Sequence, residues 1–322
     1  MRCCYALPVA VLLAISSIDA EASFPIRYRQ IGGTTYVYLY DVAKYYGLLT
    51  SVSGNEITLQ AGQTDIRMTV GSRPITINNV VFHLCHAPTG NGNAVMISER
   101  DLSLCFEPIL RPSSLADGNA NIRRIVIDAG HGGRDSGAKG RRNTEKSINL
   151  KIAVELKRKL EAHGYDVFMV RETDVAVTLG ERVRRCAAWH GDLFISIHCN
   201  SAVSRHANGI ETFIVPPIGT PESDGQKPSA ETPGNQYDKF NARLAYDVHR
   251  YLVAYSGSTD RGVKHKRFYV LKQAHCPTIL LEAGFLSNTD EEAMLGNAKH
   301  RRNLAEAVAT GIVMYHRAIA GM

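Results

Sequence analysis

Apolar and polar positions follow two different periods along the chain, and the change falls near residue 120. Upstream, short β-rich runs cover Thr34 to Leu39, Glu56 to Leu59, Ile66 to Val70 and Ile75 to Phe82. Turn residues separate them at Gly32-Gly33, Ser53-Gly54-Asn55 and Val70-Gly71-Ser72, the punctuation of consecutive strands. One helical stretch, Tyr40 to Tyr46, is closed by Gly47, a residue that suits a helix C-cap. Downstream, Ile125-Val126-Ile127 is a short apolar run. Ile148, Ile152, Leu156 and Leu160 then put one apolar face on a helix over Lys146 to Leu160. Further strands are predicted over Tyr165 to Val170, Asp192 to Ile197, Gly209 to Val215, Phe268 to Leu271 and Thr278 to Leu281. Helices are predicted over Leu179 to Trp189, Tyr237 to Ala254 and Asn303 to Ala318. Strands alternating with helices predict an α/β fold whose mostly parallel sheet is covered by helices on both faces. A small strand-rich α+β domain precedes it.

The two patterns meet where Pro112, Ser113, Ser114, Gly118 and Asn119 interrupt any periodicity, which predicts a linker over 113–121. The expected division is a small domain over 23–112 and a larger one over 122–322. Residues 1–22 read differently. Arg2 is followed by an apolar stretch, Ala6 to Ile15, and by Ala20-Glu21-Ala22, the pattern of a cleaved signal peptide with mature chain from about Ser23. That stretch is too short to span a bilayer and no second apolar run follows, so the chain is expected to be exported to the periplasm or cell envelope with no transmembrane segment after cleavage.

Composition narrows the function classes. With 44% hydrophobic and 21% charged residues the chain is an ordinary globular protein. Its net charge of +6, 37 Lys and Arg against 31 Asp and Glu, is dispersed, with no aromatic-basic platform for nucleic acid. Export removes Cys3 and Cys4 and leaves Cys85, Cys105, Cys186, Cys199 and Cys276. Of these, Cys85 and Cys105 lie in one region and could bridge in an oxidising compartment. No pair has the C-x-x-C spacing of a cysteine-rich zinc site or a redox motif.

In an open parallel sheet, ligands bind beyond the carboxyl ends of the strands. His131 follows the strand at Ile125, inside Asp128-Ala129-Gly130-His131-Gly132-Gly133. His198 follows Phe194 to Ile197, and Glu282 follows Thr278 to Leu281. Glu145, near the start of the helix that follows the glycine-rich loop, can face the same edge. Two imidazoles and one carboxylate make a catalytic zinc shell that leaves one position for water, whose pKa then falls towards ~7. A second carboxylate outside the shell would move that water's proton. Glu145 and Glu282 supply the two carboxylates, and Gly130, Gly132 and Gly133 would let backbone and substrate approach closely. Cys199 is excluded as a ligand because it points to the opposite face from His198. Pro216 to Asn235 holds five prolines and no apolar period. It predicts a mobile loop that leaves the strand Gly209 to Val215 on the same edge and borders this cleft.

Two resemblances extend the reading. "YVYLYDVAKYYGL", "ITLQAG" and "IRMTVGS" resemble the small stalk domain first described at the N-terminus of copper amine oxidases, over roughly residues 24–112, without its copper chemistry. "IVIDAGHGGRDSGAKG", "EKSINLKIAVELKRKLEAHGYDVFMVRETD", "LFISIHCNS", "NGIETFIV" and "RGVKHKRFYVLKQAHCPTILLEAGFLSN" resemble the zinc-dependent N-acetylmuramoyl-L-alanine amidases, cell-wall hydrolases, over 123–316. That resemblance implies one zinc ion held by His131, Glu145 and His198, with Glu282 as the catalytic base. It implies hydrolysis of the amide between N-acetylmuramic acid and L-alanine in peptidoglycan. The implied partners are peptidoglycan itself and an envelope activator protein. Two alternatives stand beside it: a non-catalytic peptidoglycan-binding protein, and a zinc peptidase that cuts within the stem peptide.

Overall fold

The computed structural model describes residues 25–115, 121–225 and 228–321. The expected signal peptide, most of the expected linker and residues 226–227 lie outside the described residues. The chain divides into two compact units: one takes the chain up to Asn79 with Leu84–Phe106, the other Val80–His83 with Glu107 onward. The strand at Val80 and the segment 107–112, both placed with the small domain from sequence, therefore fold with the larger unit.

In the smaller unit, β1 (Tyr28–Ile31) and β2 (Thr34–Tyr38) lead into α1 (Leu39–Tyr45), followed by β3 (Leu49–Ser53), β4 (Glu56–Ala61), β5 (Thr64–Thr69) and β6 (Pro74–Ile77). Strands β3 to β6 form an antiparallel meander. Their alternate residues Ile57, Leu59, Ile66, Met68, Ile75 and Ile77 are buried, as a half-covered sheet requires. The strand expected over Ile75 to Phe82 is broken. Asn78 and Asn79 turn the chain with φ of 49° and 64°, a conformation asparagine tolerates better than most residues. The second half becomes β7 (Val80–His83), part of the larger unit. β8 (Met96–Ser98) pairs with β2, and α2 (Glu99–Asp101) follows it. Cys85 and Cys105, which could have bridged, are both buried and form no disulfide. Burial raises the proton affinity of Cys105, away from the thiolate that disulfide exchange needs.

The larger unit begins with α3 (Glu107–Leu110). It continues through β9 (Arg124–Ala129), α4 (Glu145–Ala162), β10 (Asp166–Met169), α5 (Leu179–Ala188), β11 (Leu193–Asn200) and β12 (Ile210–Ile214). Then come α6 (Asp238–Ser256), β13 (Asp260–His265), α7 (Tyr269–Lys272), β14 (Thr278–Phe285), α8 (Thr289–Gly296) and α9 (Ala298–Ile319). Its strands lie in the order β10-β9-β11-β14-β12-β13-β7. Every neighbouring pair is parallel except β12 with β14. Helices α4, α6 and α9 pack together and α4 and α6 cover one face. On the other face Val183 and Cys186 of α5 and Val270 and Leu271 of α7 bury against Val126, Phe194, Phe213 and Leu280. The fold is α/β with helices on both faces. Phe268 to Leu271, expected as a strand, is instead the N-cap and first three residues of α7. A short apolar run has no periodicity to separate strand from helix, and here the tertiary cluster decides.

The antiparallel strand changes one expectation about the site. Glu211 lies opposite Glu282 and Phe213 opposite Leu280, so β12 runs against β14. Its carboxyl end points to the far edge of the sheet, and the segment 216–235 leaves away from His131 and His198 rather than beside them. Nor is that segment without structure. Gly219 N–H donates to Ser229 O at 2.9 Å, Ser229 N–H to Thr220 O at 3.1 Å, and Pro233–Tyr237 form a 3-10 turn capped by Thr232 and Asn235. Its described residues pair their backbone partly with one another and partly with the end of β13, where Ser223 N–H donates to His265 O at 3.0 Å, instead of through an apolar period.

Candidate active site

Three strands and one helix deliver the site residues. β9, β11 and β14 are in register, with Ile197 beside Ala129 and His198 beside Glu282. Glu145 is the first residue of α4, and its backbone N–H donates to Ala138 O at 2.9 Å. A carboxylate in a helix first turn is favoured by the exposed N–H groups and the helix dipole.

Donor atoms of His131, Glu145 and His198 all lie within 4.8 Å of one another. Glu145 Oε1 is 3.1 Å from His131 Nε2 and 2.8 Å from His198 Nδ1. Its Oε2 accepts from Ala138 N–H at 2.8 Å. The two imidazole rings meet edge to face with centroids 5.0 Å apart. Asp135 Oδ2 lies 2.7 Å from His131 Nδ1 and orients that ring from outside, the usual carboxylate support of a metal-binding histidine. Burial pushes the Glu145 carboxyl up, but hydrogen bonds from His131 and His198 outweigh it and hold the group ionised far below the usual carboxylate range.

Glu282 stands beside this group without joining it. It is 9% exposed, and its Oε2 is buried with no hydrogen-bond partner among the described residues. Burial, then the charges of Glu145 and Glu211, push its proton affinity well up. A carboxyl poised in this way can both take and give a proton.

The glycines divide by role. A Cβ on Gly130 would stand 2.2 Å from the His198 ring, and one on Gly137 would stand 2.4 Å from Glu145 Oε2 and 2.6 Å from His131. Only glycine leaves those rings their places. Gly132 and Gly133, read as making room for substrate, instead lie against the backbone of Val175 and Ala176.

Residues 125–314, more than half of the chain, match the model of a family described as N-acetylmuramoyl-L-alanine amidase. The chain belongs to this amidase family. LytC, an N-acetylmuramoyl-L-alanine amidase of Bacillus subtilis (strain 168), is 36% identical over 194 residues, 60% of this chain and 35% of LytC. YqiI, an uncharacterized protein of the same strain, is 36% identical over 219 residues, 67% of this chain and 97% of YqiI. Among solved structures, the catalytic domain of CwlV, an amidase from Bacillus (Paenibacillus) polymyxa var. colistinus, superposes with a TM-score of 0.52 at 32% identity. That match covers 60% of this chain and 98% of CwlV. The amidase thus spans about a third of LytC but nearly all of the other two.

Two buried arginines of this peptidoglycan amidase were not singled out from sequence. Arg171 donates from Nε to Ala129 O at 2.8 Å and from Nη2 to Gly130 O at 2.9 Å and Lys146 O at 2.8 Å. Arg182 reaches Ala129 O at 3.0 Å, His131 O at 2.9 Å and Asp128 Oδ1 at 2.5 Å. Together they satisfy the carbonyls of a loop in which His131 takes φ of 60°, a strained value for a residue with a Cβ. The signal in the sequence is slight: Arg182 and Cys186 share a helix face that is otherwise apolar. Arg182→Met should lower stability by about 3–5 kcal/mol, because Asp128 stays buried at 1% exposure without its cation. Urea unfolding of the metal-free protein measures it, and a loss below about 0.5 kcal/mol would show that the pair is not needed to hold the loop.

Proposed function

We propose that this amidase hydrolyses the amide between N-acetylmuramic acid and the L-alanine of the stem peptide, with one zinc ion on His131, Glu145 and His198. The observation that carries the reading is the convergence of those three donor atoms beside Glu282, whose own Oε2 is buried and unpartnered. The donor set fits the ion: two nitrogens and one ionised oxygen leave a zinc charge incompletely neutralised and an open position. Bound there, zinc supplies Lewis-acid polarisation of the amide carbonyl and of water.

The chain's residues do the rest. Glu282 accepts the proton of the attacking water and returns it to the leaving nitrogen of L-alanine. Asp135 holds the His131 ring in place, and Arg171 and Arg182 fix the loop that carries it. Three adjacent strands and a helix terminus set these groups rigidly, so little reorganisation is needed during the reaction. Export across the cytoplasmic membrane would bring the site to the cell wall, and no helix among the described residues is long and apolar enough to cross a membrane. The smaller unit, which contributes none of the four site residues, would serve as a docking module for the wall or for an envelope activator.

Metal removal tests the cofactor. Chelation should abolish turnover of purified peptidoglycan, and zinc added back at one equivalent should restore it. Full activity in a protein shown by elemental analysis to hold no metal would end the zinc reading.

A further inference from the structure

A second polar cluster lies on the same face of the sheet, next to Glu282. Glu211, the second residue of β12, lies directly opposite Glu282, and cross-strand partners share a face. Glu211 Oε1 accepts from Arg261 Nε at 2.8 Å and from Lys264 Nζ at 2.7 Å. Its Oε2 accepts from Asn200 Nδ2 at 2.9 Å. Asn200 ends β11, two residues beyond His198. The Arg261 guanidinium carbon lies 5.0 Å from the ring centroid of Phe285, which ends β14 three residues beyond Glu282. The cluster is therefore fastened to the carboxyl ends of the two strands that carry His198 and Glu282.

Glu211 is 5% exposed, and although burial raises its proton affinity, hydrogen bonds from Lys264 and Arg261 bring it below the usual carboxylate range. Glu211 thus holds both cations through one oxygen, and the Glu291 carboxyl also acts on Arg261, so Lys264 is the cation with the most left to offer. The Lys264 side chain is 18% exposed and that of Arg261 36%, so both can meet a ligand. Among the described residues, Lys264 Nζ has Glu211 as its one acceptor and keeps further N–H donors to offer. An ammonium that is largely desolvated and singly paired gains most from a second, charged acceptor.

We propose that Arg261 and Lys264 form a subsite for a carboxylate of the stem peptide, with Glu211 positioning both cations at the edge of the cleft. The inference rests on the amidase reading, since in that substrate the N-acetyl sugars are neutral and the free carboxylates belong to the peptide. The subsite lies on the β12 and β13 side of Glu282, while His131 and the loop after β9 lie on the other. The peptide would thus extend across β12 and β13, and the glycan towards β9.

The test compares two soluble muramyl-peptides with the zinc-loaded full-length enzyme, one with free stem-peptide carboxylates and one with those groups amidated. The native enzyme should prefer the free carboxylates by ~10–100-fold in kcat/KM, mainly through KM, the range of a hydrogen bond to a charged group. Lys264→Gln and Arg261→Gln should each bring that ratio towards one, and Lys264→Arg should keep most of it. Melting curves identify any variant that has failed to fold, and Lys264→Arg then carries the comparison. A native enzyme that treats both substrates alike overturns the subsite. So does a Lys264→Gln enzyme that loses rate equally on both, since the cations would then only brace β12 against β13. Failure of the native enzyme to cleave either substrate would count against the amidase reading instead.

Discussion

Glu282→Gln should lower turnover by ~10²–10⁴-fold, the range for loss of a general acid-base group, with zinc content at the native level. Glutamine keeps the size of the side chain and cannot carry the proton. The buried position also predicts the effect on stability. Glu282 is raised in proton affinity by burial and by its neighbours Glu145 and Glu211, so a neutral amide there removes repulsion instead of a favourable contact. The melting temperature should stay level or rise. Steady-state rates on purified peptidoglycan together with elemental analysis check both halves, and an unchanged rate would move proton transfer to another group.

His198→Ala should lose both the metal and the activity. It removes one of three protein ligands, and catalytic zinc sites are generally built with three. The substitution also empties the space in front of Gly130, because the native ring stands where a Cβ of Gly130 would fall. Glu145 Oε1 loses its 2.8 Å partner at the same time. Elemental analysis after dialysis is the measurement. Full zinc in the variant would remove His198 from the shell, whatever the rate.

The parts of this molecule that could be read from sequence are those where a short strand hands its chemistry directly to the following residue. Apolar runs at Ile125, Phe194 and Thr278 are each followed by His131, His198 or Glu282, and the rule that ligands bind at strand carboxyl ends needs nothing more. Helices with a full apolar stripe, such as Ile148 to Leu160, were equally plain. What could not be read was strand direction and polar burial. Nothing in Ile210–Ile214 says that it runs antiparallel to Thr278–Phe285, yet that direction moves the segment 216–235 to the far edge and brings Glu211 to Glu282. Asp260–His265, with its Arg, Lys and His, has no strand period because two of its polar side chains pair with Glu211. Asp260 itself meets His249 at 2.8 Å. Arg171 and Arg182 look like surface residues until the loop carbonyls they satisfy are in place. Cys85 and Cys105 are near in sequence but unbridged, since spacing says nothing about where the sulfurs point.

Which bond this amidase cuts is the most direct measure of its activity. Purified peptidoglycan digested with the zinc-loaded enzyme, then labelled at new amino termini and analysed by mass spectrometry, identifies it. The account predicts new amino-terminal L-alanine with intact glycan strands, absent from digests with Glu282→Gln. New termini at other stem-peptide residues, or release of stem peptides at the native rate by Glu282→Gln, would contradict it.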